Sequence, residues 1–362
     1  MDFGVNFFPV LPPERKSAAD YYQEVLSLSV LAEELGFEHV QTIEHYGSAY
    51  GGYCPDPVTL LTAIAGVTDR IRIATGAVVP AFTHPLKLAG KLAMLDNLSG
   101  GRLDVGFGRA FLPDEFDWFE VPMGESRARF DEGVEVCRRL WTEEKVEWKG
   151  QFHNFGPVTL LPRPVQKPCM PLFVASATSP DSCAAAGRKG YHLQVVPSVT
   201  SREQLQEMLA GYRESWADAG HTGRHRIQIK YTCYLDEDRE QALEAARLFE
   251  QNYIDLMTDA VEAWGSTRSD QYPGYEQFIE KARTYQFDAS LAANKVLAGT
   301  PEDVAAQLAD IREWFGDDLT VSLQFNSGWM PLEQSTRAMH LFADRVVPAL
   351  GGGRSPQHLL MV

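Results

Sequence analysis

Three short clusters carry side chains suited to chemistry, and each stands where an apolar run ends. Glu44-His45 sets a carboxylate beside an imidazole, the side chain whose proton exchange falls nearest neutral pH. Gly106-Phe107-Gly108-Arg109 closes a strand-like run with two glycines on one face, where another group approaches the backbone, and then a planar cation suited to phosphate. Ser179-Pro180-Asp181 is a helix start, and a helix N-terminus with a serine hydroxyl also attracts anions. The missing N–H of Pro180 and the charge of Asp181 oppose that second use, so it needs the cations Arg109 and Arg127. Each cluster also has an ordinary reading: a structural histidine, a tight bend with an exposed arginine, and a plain helix cap. Arg127, in Glu-Ser-Arg-Ala-Arg, fits the exposed first turn of its helix equally well, and His84 before Pro85 reads as a local turn and helix start.

Composition narrows the partners. The chain has 362 residues, 44% of them hydrophobic and 23% charged, with a formal net charge of −16. Nucleic acid and anionic membranes both demand clustered cations, so neither is expected. Five cysteines, odd in number and never in a CxxC, suggest neither a disulfide framework nor a zinc site. No run approaches the ~18 apolar residues of a membrane span, and no basic n-region precedes an apolar one. A cytoplasmic protein is the expectation.

The elements that must position the clusters repeat a single unit. Strand-like runs at 3–8, 39–43, 71–76, 103–107, 172–175, 192–196, 226–235 and 319–325 alternate with helical patterns. Typical of the helices is 20–35, where Val25, Leu28, Leu31 and Leu35 share a face and Gly36 closes it. Residues 148–161 read as a small hairpin, and the pattern loosens over 258–298, as in a functional loop or insertion. Eight alternating units predict an α/β fold, a (β/α)8 TIM-like barrel in a single domain over 1–350, with a flexible tail at 351–362. An open dinucleotide-binding sheet fits less well, since no GxGxxG follows the first strand.

A barrel of this kind does its chemistry where the strands end. That rule gathers Glu44, His45, Gly76, Ala77, Gly108, Arg109 and Ser176 among aromatics, with neither a metal-binding cluster nor a Ser-His-Asp set. Such a rim suits a planar cofactor bearing a phosphate.

Recognition of a family sharpens this. Phe3-Gly4, Leu35-Gly36-Phe37 leading to Glu44-His45, and Thr75-Gly76-Ala77-Val78-Val79-Pro80 with His84-Pro85 stand in order along the chain. Segments 96–109, 123–127 and 174–181, then Gly299-Thr300-Pro301 and 342–350, continue the pattern. Together they resemble the bacterial luciferase-like flavin monooxygenases, in the alpha-chain branch. The resemblance implies a homodimer that takes reduced FMN from a separate reductase, with O2 as co-substrate, and oxygenates a small organic substrate through a C4a-(hydro)peroxyflavin. It implies His45 as the active-site histidine, which we expect Glu44 to orient. By the same likeness Arg109, Arg127, Ser176 and Ser179 hold the flavin phosphate, a cis peptide joins Gly76 to Ala77 under the ring, and 258–298 is a mobile loop. Two departures argue against light emission: Gly108 replaces a reactive cysteine, and Tyr46 a second histidine. An F420-dependent oxidoreductase and a non-catalytic flavin-binding partner subunit are the alternatives.

Overall fold

The computed structural model describes residues 1–351, without the side chains of Glu276, Phe278 and Lys281. The flexible tail expected from 351 onward lies, but for Gly351 itself, outside the described residues. Eleven strands form: β1 (Asp2–Phe7), β2 (His39–Thr42), β3 (Arg72–Thr75), β4 (Leu103–Phe107), β5 (Val146–Lys149), β6 (Asn154–Val158), β7 (Leu172–Ser176), β8 (His192–Val195), β9 (Ile227–Leu235), β10 (Leu297–Gly299) and β11 (Leu319–Gln324). Eight pair in parallel in the cyclic order β1-β2-β3-β4-β7-β8-β9-β11, and β11 returns to β1. The ring is the expected (β/α)8 barrel. The antiparallel β5–β6 hairpin lies outside it, where the sequence placed an excursion.

Local chemistry starts and stops the helices as the sequence suggests. Ser17 accepts from the Asp20 N–H to open the helix Ala18–Leu35, and Gly36 closes it at φ 83° in the left-handed region. Asp56 caps Pro57–Ala65, and His84 accepts from the Leu86 N–H to cap Pro85–Leu98, the local role expected of it. Two boundaries differ. The helix Arg239–Ala260 runs into the span expected to loosen from 258, and the rest of 258–298 is built of short helical turns, including Phe278–Arg283 and Phe287–Ala292, that end in β10. A strand of three residues pairing only with Cys233, Tyr234 and Leu235 is too short to leave a period in the sequence.

Both faces of a barrel strand are buried, so alternation separates two kinds of interior. On β9, Ile227, Ile229 and Tyr231 join the apolar layer under the helices, while Gln228, Lys230 and Thr232 take the other face. Across the axis Gln228 Oε1 accepts from Gln41 Nε2 at 3.1 Å and from Gln194 Nε2 at 2.9 Å. Glycine makes room for this polar layer: a Cβ on Gly106 would lie 2.3 Å from the Thr75 carbonyl oxygen and 2.5 Å from Gln194 Oε1. The bare face of Gly106 thus receives Gln194, not a ligand as the sequence suggested. At the strands' N-terminal ends the interior is ionic. Arg226 Nη2 lies 2.8 Å from Asp104 and 2.7 Å from Glu38, Arg72 also pairs with Asp104, and His39 bridges Glu38 and Ser322.

No helix of the described residues is long and apolar enough to cross a membrane.

Candidate active site

At the opposite, C-terminal ends of the strands a cavity of about 750 Å³ opens, within the range that holds a cofactor or drug-sized ligand. Every residue singled out from the sequence lines it: Glu44, His45, Gly76, Ala77, Gly108, Arg109, Arg127, Ser176 and Ser179.

His45 stands just beyond β2, with Phe8 stacked at 5.8 Å and the rings of Tyr50 and Phe111 at 5.4 and 5.8 Å. Gly51, at φ 88°, passes so close behind it that a Cβ there would lie 2.7 Å from the His45 Cβ. The partner of its ring is Glu115 and not Glu44, which corrects the expectation from adjacency. Glu115 Oε1 is 2.9 Å from Nδ1 of His45 and also accepts from the Tyr46 N–H at 2.9 Å. Glu115 is fully buried on the short helix Pro113–Trp118. With the carboxylate accepting from Nδ1–H, the Nε2 side of the ring is left for proton exchange.

Glu44 is turned away by two other bonds. Its Oε1 accepts from the Tyr46 hydroxyl at 2.5 Å and its Oε2 from the Val79 N–H at 3.0 Å, fastening the end of β2 to the loop after β3. Burial lifts its carboxyl to about 7 despite those two donors. Glu44 and His45 both lie beyond the end of β2 and take separate tertiary partners, so adjacency in sequence was the wrong guide.

The Gly76-Ala77 peptide is cis. Ala77 packs against Gly108, where a Cβ would lie 3.0 Å from the Ala77 Cβ, so the two form one low-relief patch in the cavity wall.

Arg109 follows this patch. Its guanidinium lies over the Tyr272 ring at 4.2 Å, and Nη2 donates to the Gln271 carbonyl at 2.8 Å. Nη1 is buried with no hydrogen-bond partner. Burial lowers the pKa of this group, yet guanidinium stays charged, so an unpaired donor of a fixed cation is held in the wall. Ser176 and Ser179 line the same cavity at and just after the end of β7: Ser176 Oγ donates to the Ser179 carbonyl at 3.3 Å, and Ser179 Oγ accepts from the Ser182 N–H at 3.2 Å. The helix-cap reading of Ser179 is therefore correct, and it leaves the hydroxyl hydrogen free for an anion. Arg127 is exposed on the first turn of Ser126–Thr142, at the cavity edge. The 258–298 segment covers this end through Gln271, Tyr272 and Trp264, whose indole donates to the Phe111 carbonyl at 3.0 Å.

Two site residues escaped the sequence argument. Glu115 follows Pro113-Asp114 and reads as an ordinary acidic first turn, seventy positions from its histidine. Lys230, whose Nζ donates to the Gly76 carbonyl at 2.6 Å, had a fainter signal. It is the cation in the polar set of Gln228, Lys230 and Thr232 alternating through an otherwise apolar strand.

Comparison with known proteins agrees with this geometry. Monooxygenase RslO1 from Streptomyces bottropensis is 51% identical, with a TM-score of 0.88 over 96% of this chain and 99% of its own. The oxygenase component of the flavin-dependent trigonelline monooxygenase of Acinetobacter baylyi is 29% identical over 69% of this chain and 68% of its own. The oxygenating constituent of 3,6-diketocamphane monooxygenase from Pseudomonas putida, a type II Baeyer–Villiger enzyme solved with FMN, shares the fold at 18% identity, with a TM-score of 0.78 over 97% of this chain and 98% of its own. The family model for luciferase-like monooxygenases matches residues 1–318, and the chain belongs to that family.

Proposed function

We propose that the protein is the oxygenase component of a two-component flavin monooxygenase. A separate reductase supplies reduced FMN, and the enzyme oxygenates a small apolar organic molecule with O2. The observation that carries this reading is Arg109, whose buried Nη1 lacks an acceptor in the wall of the cavity that also holds His45. A phosphate supplies that acceptor, with Arg127 at the edge and the free hydroxyl hydrogen of Ser179 as a further donor, while Ser176 steadies the Ser179 turn. The Gly76, Ala77 and Gly108 patch gives a flat ring close access to backbone.

When bound, reduced flavin supplies the two electrons that let O2 deliver one oxygen atom to the substrate and release the other as water. The chain's own residues do the rest. His45 exchanges a proton with the substrate or the departing oxygen through Nε2 while Glu115 fixes its ring. Phe8, Tyr50, Phe111 and Tyr253 exclude water from that side of the cavity. Glu44 supports the site by tying Tyr46 and Val79 together. The chain acts as one barrel domain over 1–350, in which 258–298 moves to admit FMN. Exposed Met94 and Leu98 on one helix, with exposed Leu161 in the same groove as Met94, give a second copy an apolar face to cover in a homodimer.

Fluorescence titration with FMN, riboflavin and F420 tests the cofactor. FMN is expected to bind most tightly, and preference for F420 would replace oxygenation by hydride transfer. Arg109→Ala is expected to weaken FMN about a hundredfold, the loss of two charge-assisted bonds at about 1.5 kcal/mol each. Riboflavin, without the phosphate, should lose far less. Equal losses for both would show that Arg109 only anchors the covering segment through Gln271 and Tyr272.

A further inference from the structure

Lys230 is used by none of the roles above. On the barrel ring β9 lies four strands from β3 in either direction, so the two face each other across the axis. Lys230 Nζ spans that distance to donate to the Gly76 carbonyl at 2.6 Å. Its ammonium therefore lies in the cavity lining against Gly76, the residue that opens the low-relief patch. An ammonium has three donors, and this bond uses one.

The charge calls for an explanation that the bond does not provide. The neighbouring cross-axis contacts are made by neutral amides; Gln194 Nε2 donates to the Thr75 carbonyl at 3.0 Å in the same way. Burial alone lowers the Lys230 pKa to about 7, with no carboxylate offsetting it. Near neutral pH the group is therefore divided between amine and ammonium, and a ligand that brings negative charge to the floor favours the ammonium.

We propose that Lys230 is a cofactor-tuning residue whose ammonium meets the negative charge that the flavin ring gains on reduction, so that the site holds reduced FMN in preference to oxidised FMN. The inference rests on the FMN reading above. The phosphate carries the same charge in both oxidation states, so Arg109 and Arg127 cannot tell them apart. Reduction adds negative charge to the ring system, and a cation near its ring nitrogens is a recognised means of tuning it. Lys230 lies on the opposite strand from the patch and is the lysine that contacts it. A protein that receives its flavin reduced and releases it oxidised needs this preference.

The test uses the whole chain and four forms: native, Lys230→Gln, Lys230→Met and Lys230→Arg. Binding of oxidised FMN is measured by fluorescence, and the potential of bound FMN by equilibration with redox dyes. Native protein should bind reduced FMN more tightly than oxidised FMN, seen as a bound potential above that of free FMN. Lys230→Gln keeps a polar amide of nearly the same length at this position without the charge. It should bind oxidised FMN almost as the native protein does, yet lose about tenfold in relative affinity for reduced FMN. For two electrons that is a fall of about 30 mV in the bound potential. Lys230→Met should fall by as much, and Lys230→Arg should stay near native.

A native potential in Lys230→Gln overturns the inference, because a neutral brace then suffices. Equal weakening of both oxidation states also overturns it. If Lys230→Met does not fold, the Gln and Arg forms still decide. Failure of the native protein to bind FMN in either state overturns the FMN reading and this inference with it, whereas normal binding without the potential shift overturns this inference alone.

Discussion

Replacing His45 by alanine is expected to lower oxygen transfer about a hundred- to ten-thousandfold, the usual contribution of a positioned acid or base, while FMN binds much as before. Single turnovers of reduced FMN with O2, run against a panel of apolar aldehydes, ketones and phenols, would show it as lost product from whichever compound the native protein oxygenates. The separation of effects follows from geometry. His45 stands among Phe8, Tyr50 and Phe111 and is held by Glu115, whereas Arg109 is held by Gln271 and Tyr272, so loss of the histidine removes a proton carrier and not the phosphate anchor. Glu115→Gln should give a smaller loss, because one oxygen accepts both from Nδ1 of His45 and from the Tyr46 N–H, and an amide oxygen can still do both. Unchanged product formation in His45→Ala would remove the histidine from the chemistry.

The second large effect is on stability and lies at the other end of the barrel. Asp104 is fully buried and pairs with both Arg72 and Arg226. Asp104→Ala leaves two guanidinium groups facing one another without their shared counter-ion. Breaking a buried ion pair from one side costs about 3–5 kcal/mol, which urea unfolding would report. Cofactor affinity per folded molecule should not change, since the cavity is at the opposite rim. A related expectation concerns acid. Burial would raise the Glu38 carboxyl, but its bond to His39 and the charges of His39, Arg226 and Arg72 outweigh this and hold it at about 2. A depressed carboxyl contributes stability above its unfolded pKa, so the contribution is present at neutral pH. It should be lost as pH falls from about 4.5 toward 2. Glu38→Gln should flatten that part of the stability profile.

The barrel was legible because its period is repeated. Eight short apolar runs, each followed by a helical pattern, leave few alternatives, and every barrel strand lies within two residues of its expected span. The rim followed from the same count, which is why Arg109, Ser176 and His45 could be brought to one cavity before any coordinates. What failed was the choice of partners. Glu44 adjoins His45 along the chain but is drawn off by Tyr46 and Val79, and the carboxylate that holds the ring comes from a separate helix. Tertiary partners of this kind leave no mark in local spacing. Gly106 and Gly108 looked equivalent as paired glycines, yet one makes room for Gln194 inside the barrel and the other backs Ala77 at the cavity. Which bare backbone faces a ligand depends on what crosses the barrel axis, and that is fixed by the closed ring, not by the strand.

The central claim, that this cavity holds reduced FMN for reaction with O2, is tested most directly by stopped flow. Reduced FMN with enough protein to bind it is mixed with oxygenated buffer, and the return of the oxidised flavin spectrum is compared with that of free FMN. The bound flavin should regain that spectrum more slowly than the free flavin and release its oxygen as hydrogen peroxide later. Identical time courses, at protein concentrations that saturate the flavin, would contradict the account.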